Sequence, residues 1–575
     1  MAALIFLVLF LAFAAVPAEA PPPDLILHHG KIVTVDSQFR IAEAMAVKGD
    51  RILAVGASDE VLRLAGPQTE RKDLAGRVVL PGLIDSHSHP PDASLFEFDH
   101  PVPDMETVAD VLAYVRARAK VLEAGKWIGV SQVFITRLRD QRFPTRQELD
   151  EAAPNNPVVF RTGPDAAVNS LALKLSGIGK DFKITDGQAG YIECDPATGE
   201  PTGILRNCSR FIKSRESERK PSANDRYDCL KALLAAYNAV GITAVSDRGG
   251  EDGTIAVYQR LKERRELTCR IFLSYFVNAQ KPMEQIEAAI RKAARSPLHE
   301  YNNLLWLRGI KVYLDGGMLT GSAYMREPWG VSKIYSISDP TYRGLRFIPP
   351  DRLEKIARLA LENGLQPTAH TVGDGAVHAL IDAYEAVNKD LPVRELRPCI
   401  SHSNFMSAEA IEKMRALGIV ADLQPAWIYL DGVTLLKQFG EQRLSWFQPY
   451  RTLFDRGVIV GGGSDHMQKL DSLHSINPYN PFLGMWIALA RQPRWGDGSP
   501  FHPEQCITRE EAIRLYTINC AYLTFEEKEK GSLESGKLAD FIVLDRDILT
   551  CPVSEVKDIQ VRETWLGGKR VYQAR

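Results

Sequence analysis

The run Val78-Val79-Leu80-Pro81-Gly82-Leu83-Ile84-Asp85-Ser86-His87-Ser88-His89 is an apolar segment that ends in two histidines one residue apart. If it forms a strand, His87 and His89 point to the same side, because side chains along a strand alternate with period two. Two neutral imidazoles side by side at a strand end provide half of a site for a first-row metal. A bare histidine pair is more often part of a surface turn, so the rest of the chain must decide between these interpretations.

Length and composition indicate a globular protein with two or three domains. The chain has 575 residues, of which 45% are hydrophobic and 25% charged, and this balance is enough for a large buried core. With 70 basic and 72 acidic residues, the formal net charge is -2. This charge gives no electrostatic reason to expect nucleic acid or an anionic membrane as a partner. We therefore expect a small-molecule substrate and no nucleic-acid partner, and we leave a homo-oligomer open.

Residues 1–20 differ from everything that follows. An apolar stretch over residues 4–16 precedes Ala18-Glu19-Ala20 and three prolines, which is typical of a secretory signal peptide and its cleavage site. No Lys or Arg precedes the apolar stretch, so an uncleaved N-terminal anchor is the alternative. The stretch is shorter than the ~20 residues that span a bilayer, which favours cleavage. The sequence thus predicts a secreted or periplasmic protein without membrane association after signal cleavage.

Both ends of the mature chain are rich in short β-type runs separated by turn residues. The N-terminal runs are residues 25–28, 31–34, 44–47, 51–55 and 77–80, and the C-terminal runs are 540–544, 559–564 and 567–572. We predict that they pair in one small β-sandwich domain built from both termini, residues 21–80 and 529–575.

The region between the termini alternates apolar β-type runs with helical stretches, which is typical of a parallel sheet with crossover helices. The strand candidates are residues 78–85, 242–247, 271–276, 306–314, 365–370, 399–402, 420–424 and 458–462. Eight such strands predict an α/β protein with a closed (β/α)8 TIM-like barrel, whose first strand lies within residues 81–100 and whose remainder is 225–528. The active site of such a barrel lies at the carboxyl ends of its strands.

Residues 101–224 interrupt the alternation after the first barrel strand. They contain their own helical stretch at 105–123, strand candidates at 127–133 and 158–161, and a hairpin pattern over 191–205. Long excursions at strand ends are where functional lids tend to lie. We predict an inserted α+β domain that covers the substrate.

Polar residues occur at the ends of four of the candidate strands. His87 and His89 end the first, His370 the fifth and His402 the sixth, and the eighth runs into Asp465. Any one of these histidines would more often be an ordinary core or surface residue. Of the 12 histidines in the chain, four at such ends together indicate a metal or catalytic site.

Lys311 lies in the fourth candidate strand, where Ile310, Val312 and Leu314 form one apolar face and the lysine lies on the other. A lysine that points into a barrel mouth is costly unless it is paired or chemically altered. Two interpretations remain open at this point: a salt bridge to a neighbouring carboxylate, or an N-carboxylated lysine whose two oxygens bridge two cations.

The sequence resembles the metal-dependent amidohydrolase superfamily, and within it amidohydrolase family 3, the YtcJ-like proteins. The matching stretches span most of the mature chain. They are Leu80–His89, Phe143-Pro144-Thr145-Arg146, Val168-Asn169-Ser170, Pro201–Arg206, Gly241–Val245, Gly309-Ile310-Lys311, Asp315-Gly316, His370–Asp374, Gly463-Ser464-Asp465 and Gly531–Asp540.

The resemblance implies a site for one or two divalent metal ions, with zinc expected from the nitrogen-rich ligands. It implies that His87 and His89 bind one metal, that His370 and His402 bind a second, and that a carboxylated Lys311 bridges them. Asp465 would contact the first metal and act as general base, taking a proton from a metal-activated water and returning it to the leaving nitrogen.

Three positions depart from the family pattern. Ser401 stands where many relatives have a glutamate, Pro164-Asp165 replaces a common histidine, and Ser246 replaces another. None of them removes a proposed ligand, but the number of metals stays open between one and two. We predict an exported metal-dependent hydrolase that cleaves a non-peptide C–N bond of a small amide-type molecule. The alternatives are a non-catalytic secreted binding protein on the same fold, or a metal-dependent lyase or isomerase.

Overall fold

The computed structural model describes residues 21–163, 165–186, 190–214, 219–335 and 337–575. The predicted signal peptide, residues 1–20, and Pro164 therefore lie outside the described residues. Among the helices that are described, none combines the length and the apolar character needed to cross a membrane.

The apolar run that precedes His87 is divided between two sheets at Gly82. Val78–Pro81 pairs with strands near both termini, whereas Leu83–Ser88 is the first barrel strand. The Gly82 N–H donates to the Asp540 carbonyl at 2.9 Å, and a Cβ at this position would collide with the Thr243 side chain. The prediction of one continuous strand over 78–85 is therefore wrong, because the chain must turn where the second barrel strand approaches closely.

Eight parallel strands form the barrel sheet, in the order in which they occur in the chain. They are Leu83–Ser88, Ile242–Gly250, Arg270–Phe276, Leu305–Tyr313, Gln366–Thr371, Cys399–His402, Val420–Leu423 and Val460–Gly462. The chain after the eighth strand returns to the first, since the Asp465 N–H donates to the His87 carbonyl at 2.7 Å and the His89 N–H to the His466 carbonyl at 3.0 Å. This nearly closed barrel confirms the predicted TIM-like α/β fold.

Helices cover the outside of the barrel with amphipathic faces. In Pro350–Glu362, the buried residues are Leu353, Ile356, Ala357, Ala360 and Leu361, the spacing of one helical face. The other helices that follow the barrel strands are Pro90–Leu95, Ala223–Ala239, Asp252–Glu263, Met283–Ala294, Asp374–Asn388, Ala408–Leu417, Ala426–Leu444, Tyr450–Asp455, Pro481–Ala490, Arg509–Leu515 and Ile518–Leu523. Short 3-10 helices occur at Pro297–His299, Met318–Thr320, Arg394–Leu396, Pro503–Gln505 and Val553–Asp558.

The termini form two facing sheets. One sheet has the order Arg51–Gly56, Ala44–Lys48, Leu25–His28 and Glu70–Asp73. The other has the order Lys569–Gln573, Val561–Leu566, Phe541–Leu544, Val78–Pro81, Lys31–Val33 and Ile41–Ala42. Leu27 and Val47 of the first sheet share a buried apolar cluster with Val79, Phe541 and Trp565 of the second. Strands from both ends of the chain thus build one β-sandwich, to which the short helix Ser58–Leu62 is added.

The inserted region has its own mixed sheet and helices. Its strand order is Tyr191–Cys194, Pro201–Arg206, Asp165–Val168, Val158–Thr162 and Ile128–Val130. Its helices are Val108–Val121, Arg146–Ala152 and Ser170–Ser176, with 3-10 turns at Ile135–Arg137 and Ser209–Phe211. The predicted hairpin is present as the antiparallel pair of the first two strands. The central strand Asp165–Val168 was not predicted, because Val168 is its only β-branched or aromatic residue.

Candidate metal centre

Two histidines and an aspartate converge where the first and eighth barrel strands end. His87 Nε2 lies 3.5 Å from Asp465 Oδ1, and His89 Nε2 lies 3.3 Å from the same oxygen. His87 is the fifth residue of its strand, whereas the strand ends at Ser88 and His89 follows it. His87 and His89 thus both lie at the carboxyl end of the first barrel strand, and both imidazoles reach the same carboxylate.

The spacing of these three ligand atoms fits a metal ion. Two ligands of a tetrahedral zinc site, each 2.0–2.1 Å from the ion, lie about 3.3 Å apart. The separations of 3.3 and 3.5 Å are close to that value. All three ligand atoms lie within 4.8 Å of one another. This donor set can therefore hold a divalent cation without rearrangement of the backbone.

His402 lies next to His87, and His370 lies next to His402. The ring centroid of His402 lies 4.6 Å from that of His87 and 4.6 Å from that of His370. His402 is the last residue of its strand and has a left-handed backbone, φ 77°. Non-glycine residues in that conformation are uncommon and cluster at functional sites. The structure thus brings all four predicted histidines into one group.

Lys311 lies beside His87 inside the barrel. Its Nζ is 3.4 Å from His87 Nε2, and the side chain is buried. Burial lowers the pKa of Lys311 to about 8, although Asp422 and Asp465 act in the opposite direction. Lys311 has no ion pair among the described residues, so the salt-bridge interpretation is wrong. Burial without a paired carboxylate therefore makes the Lys311 ammonium easier to deprotonate than that of an exposed lysine.

Burial also keeps the histidines neutral, which is the form that binds metals. It lowers the pKa of His370 to about 3 and the pKa values of His87 and His402 well below their usual value. The Lys311 charge adds to the effect on all three imidazoles. The pKa of His89 is instead raised. Desolvation lowers it, but the hydrogen bond to Asp465 and the negative charge of that carboxylate together outweigh desolvation.

Asp422 was missed from the sequence, although it orients the first ligand. Its Oδ1 lies 2.7 Å from His87 Nδ1, so this nitrogen donates and Nε2 is left to face the centre. Gln424 does the same for His402, whose Nδ1 lies 2.8 Å from Gln424 Oε1. Such outer hydrogen bonds fix the tautomer and direction of a metal-binding histidine. The alternation of polar residues at 422 and 424 in an otherwise apolar strand was the available signal.

Arg248 lies below the cluster, in the second barrel strand. The motif Arg248-Gly249-Gly250 reads as a turn in the sequence, but the strand extends to Gly250 and the arginine is fully buried. Its guanidinium donates to the Ser86 carbonyl at 3.2 Å and lies 3.5 Å from Asp422 Oδ2. The guanidinium offsets the negative charge of Asp422 in the barrel interior.

Two further residues are accounted for without a role as ligands. His466 follows Asp465 but points away from the centre, with Nδ1 2.8 Å from the Tyr237 hydroxyl. Ser401, which replaces the glutamate of many relatives, donates to Asp422 Oδ2 at 3.0 Å. Ser401 thus supports Asp422 and not a metal.

A second group with the same donor types lies on the β-sandwich. His28 Nδ1 is 3.1 Å from His29 Nδ1, which is 3.2 Å from Asp73 Oδ2. The side chains of His29 and Asp73 are 56% and 58% exposed. We call these three residues the surface cluster, and His87, His89 and Asp465 the buried cluster.

The fold and the buried cluster define a class of protein. A barrel of eight parallel strands with histidines, a lysine and an aspartate at the carboxyl ends is the arrangement of a metal-dependent hydrolase. The sequence model of the amidohydrolase family matches residues 71–572. The chain therefore belongs to the amidohydrolase family, which confirms the resemblance. It is a hydrolase of C–N bonds that depends on a divalent metal.

Individual relatives extend over nearly the whole chain. N-substituted formamide deformylase of Arthrobacter pascens is 30% identical over 565 residues, covering 96% of this chain and 98% of that protein. YtcJ of Bacillus subtilis is 26% identical over 562 residues, covering 95% and 99%. The crystal structure of an uncharacterised metal-dependent hydrolase from Pyrococcus furiosus matches with a TM-score of 0.64 at 22% identity, covering 92% of this chain and all of that one. At this identity the structural match shows the fold alone.

Proposed function

We propose that the protein is a zinc-dependent hydrolase of a small-molecule amide, with N-substituted formamides and cyclic amides as the first compounds to test. The observation that carries this proposal is the convergence of His87 Nε2 and His89 Nε2 on one oxygen of Asp465. The relative that acts on N-substituted formamides supports the choice of substrates.

His87, His89 and Asp465 would hold one ion. His370 and His402 would hold a second ion, with Lys311 between the two positions. A divalent ion in such a site polarises a carbonyl group and lowers the pKa of a water molecule. Among the described residues no carboxylate forms an ion pair with the buried Lys311 Nζ. Its neutral amine could add to carbon dioxide and release a proton, which would give a carbamate anion beside the histidines.

Asp465 would move the proton. Its Oδ1 faces the two histidines and thus the place where water would be activated, and its side chain is 10% exposed. A carboxylate in this position can accept a proton from the attacking water and deliver it to the leaving nitrogen. The released products would be a carboxylate and an amine.

We also propose that residues 1–20 direct export, so that the mature enzyme is secreted or periplasmic. The apolar stretch and the Ala18-Glu19-Ala20 motif support this proposal. N-terminal sequencing of the protein from an exporting host tests it. A first residue near Pro21 is expected, whereas an intact Met1 on a membrane-attached protein would contradict it.

Metal analysis together with an amide panel tests the proposed activity. Purified wild type should retain one or two zinc ions per chain and hydrolyse at least one N-acyl, N-formyl or cyclic amide. His87→Ala should lose at least one ion and all activity. Wild type without metal would overturn the proposal. Metal without any hydrolysis would favour a binding protein, and turnover without net uptake of water would favour a lyase or isomerase.

A further inference from the structure

Asn477 connects Asp465 to an arginine of the inserted region. It lies in the loop after the eighth barrel strand and is 1% exposed. Its Nδ2 donates to the main-chain carbonyl of Asp465 at 2.7 Å and lies 3.4 Å from Asp465 Oδ2. Its Oδ1 accepts from Arg137 Nη1 at 3.2 Å and from Trp427 Nε1 at 3.1 Å. Both hydrogen-bonding ends of the amide are thus occupied.

The two donors determine the direction of the Asn477 amide. A guanidinium and an indole N–H can only donate hydrogen bonds. Arg137 and Trp427 therefore hold the amide oxygen on their side, and the NH2 group must face Asp465. In the reverse orientation the NH2 group would face the Arg137 and Trp427 donors. Buried hydrogen-bonding groups would then be left without partners, which is costly.

The hydrogen bonds from Asn477 determine which way the Asp465 carboxylate points. Its backbone is left-handed, φ 54°, and this conformation costs free energy in a residue with a side chain. The Asn477 NH2 group holds both the main-chain oxygen and Oδ2 of Asp465. Oδ1 is consequently left to face His87 and His89, at 3.5 and 3.3 Å.

Arg137 is itself firmly held where the inserted region meets the barrel. Its Nε and Nη2 donate to the two carboxylate oxygens of Asp431, at 2.9 and 2.7 Å. Arg137 belongs to the 3-10 turn Ile135–Arg137 and Asp431 to the barrel helix Ala426–Leu444. Both side chains are buried, and two parallel bonds fix the plane of the guanidinium.

We propose that Asn477 is a positioning residue for Asp465 and that Arg137 sets its orientation. The inserted region would then complete the metal centre as well as cover it. This inference rests on the proposed function, because it takes Asp465 to be a metal ligand and general base.

The substitution Asn477→Asp tests whether Asn477 positions Asp465. It keeps the size of the side chain but places a carboxylate against Asp465. We expect zinc release to a chelator to accelerate about tenfold or more and kcat to fall about 10- to 100-fold, with KM within twofold of wild type. Asn480→Asp is the matched control, because Asn480 only caps the helix Pro481–Ala490, where aspartate serves equally well.

Arg137→Gln tests whether Arg137 sets the orientation of Asn477. The double variant, Arg137→Gln with Asn477→Asp, tests whether Arg137 acts through Asn477. If Arg137 acts through Asn477, Arg137→Gln should change zinc release and kcat in the same direction, and the double variant should be no worse than Asn477→Asp alone. Melting temperatures of all variants establish that they are folded. Wild-type zinc release in folded Asn477→Asp would overturn the proposal, and additive effects would overturn the role of Arg137. If wild type binds zinc but cleaves no amide, the proposed function fails while zinc release still decides the role of Asn477.

Discussion

The buried cluster and the surface cluster contain the same donors at similar distances. Each has two histidines and one aspartate, with separations of 3.3 and 3.5 Å in the first and 3.1 and 3.2 Å in the second. They differ in what surrounds the donors. His87 is fully buried and its second nitrogen is held by Asp422, whereas His29 and Asp73 are more than half exposed.

From this difference we expect that the choice of ligands does not by itself make a strong metal site. In the surface cluster, His29 Nδ1 is the nitrogen that faces both His28 and Asp73. An ion would displace hydrogen bonds in either cluster, but in the surface cluster it would also compete with water and immobilise exposed side chains. In the buried cluster the ligand nitrogens are already directed and desolvated. Ion binding would therefore cost little further side-chain entropy.

Asp465→Asn, compared with Asp73→Asn, should give the largest effect. The amide cannot accept the proton from water and is a weaker ligand, so several kcal/mol of transition-state stabilisation should be lost. We expect kcat to fall about 1,000-fold or more for Asp465→Asn at saturating zinc. Asp73→Asn should match wild type in steady-state kinetics. Similar losses in both variants would show that the two clusters are not functionally distinct.

Asp422→Asn should have the next largest effect, because it changes only the support of His87. An asparagine would turn its NH2 group towards a donor, since His87, Ser401 and Arg248 all face this side chain. We expect zinc affinity to fall about 10- to 100-fold, measured by competition with a chelator. Unchanged affinity would mean that burial alone accounts for the stronger site.

Ser401→Ala should have a smaller effect in the same direction. It removes one donor to Asp422 Oδ2, while His87 and Gln424 remain in contact with Oδ1. A net loss of about 1 kcal/mol corresponds to roughly a fivefold fall in zinc affinity. A loss as large as that of Asp422→Asn would indicate that Ser401 contributes in a way that its single hydrogen bond does not explain.

His29→Ala should have the smallest effect. Zinc retained after dialysis should stay at the wild-type number of ions per chain, and kcat should be unchanged, because the surface cluster has no buried support. Elemental analysis of the dialysed protein measures the first quantity. The loss of one tightly held ion in His29→Ala, but not in the exposed control His474→Ala, would contradict our distinction between the clusters.

The sequence by itself determined the barrel and most of the centre. Period-two alternation placed Lys311 on the face opposite Ile310, Val312 and Leu314. The alternation of strands and helices placed the strand ends that carry His87, His89, His370, His402 and Asp465 at one rim. These features are local, because they depend on the spacing of residues within single elements. For the same reason the predicted extent of the sixth strand, Cys399–His402, agreed with the structure.

Only the tertiary structure decided which residues support that centre. Asp422, Arg248 and Asn477 acquire their roles from distant partners: His87 is 335 positions from Asp422, Ser86 is 162 from Arg248, and Arg137 is 340 from Asn477. Spacing could mark Asp422 as a polar position in a strand, but it could not reveal these partners. The left-handed backbone of His402 and Asp465 is likewise imposed by surrounding contacts, since neither residue type requires it. The sequence thus specified which atoms could bind a metal. Burial and hydrogen bonds between distant strands decided where those atoms are directed, and they distinguish the buried cluster from a chemically similar group on the surface.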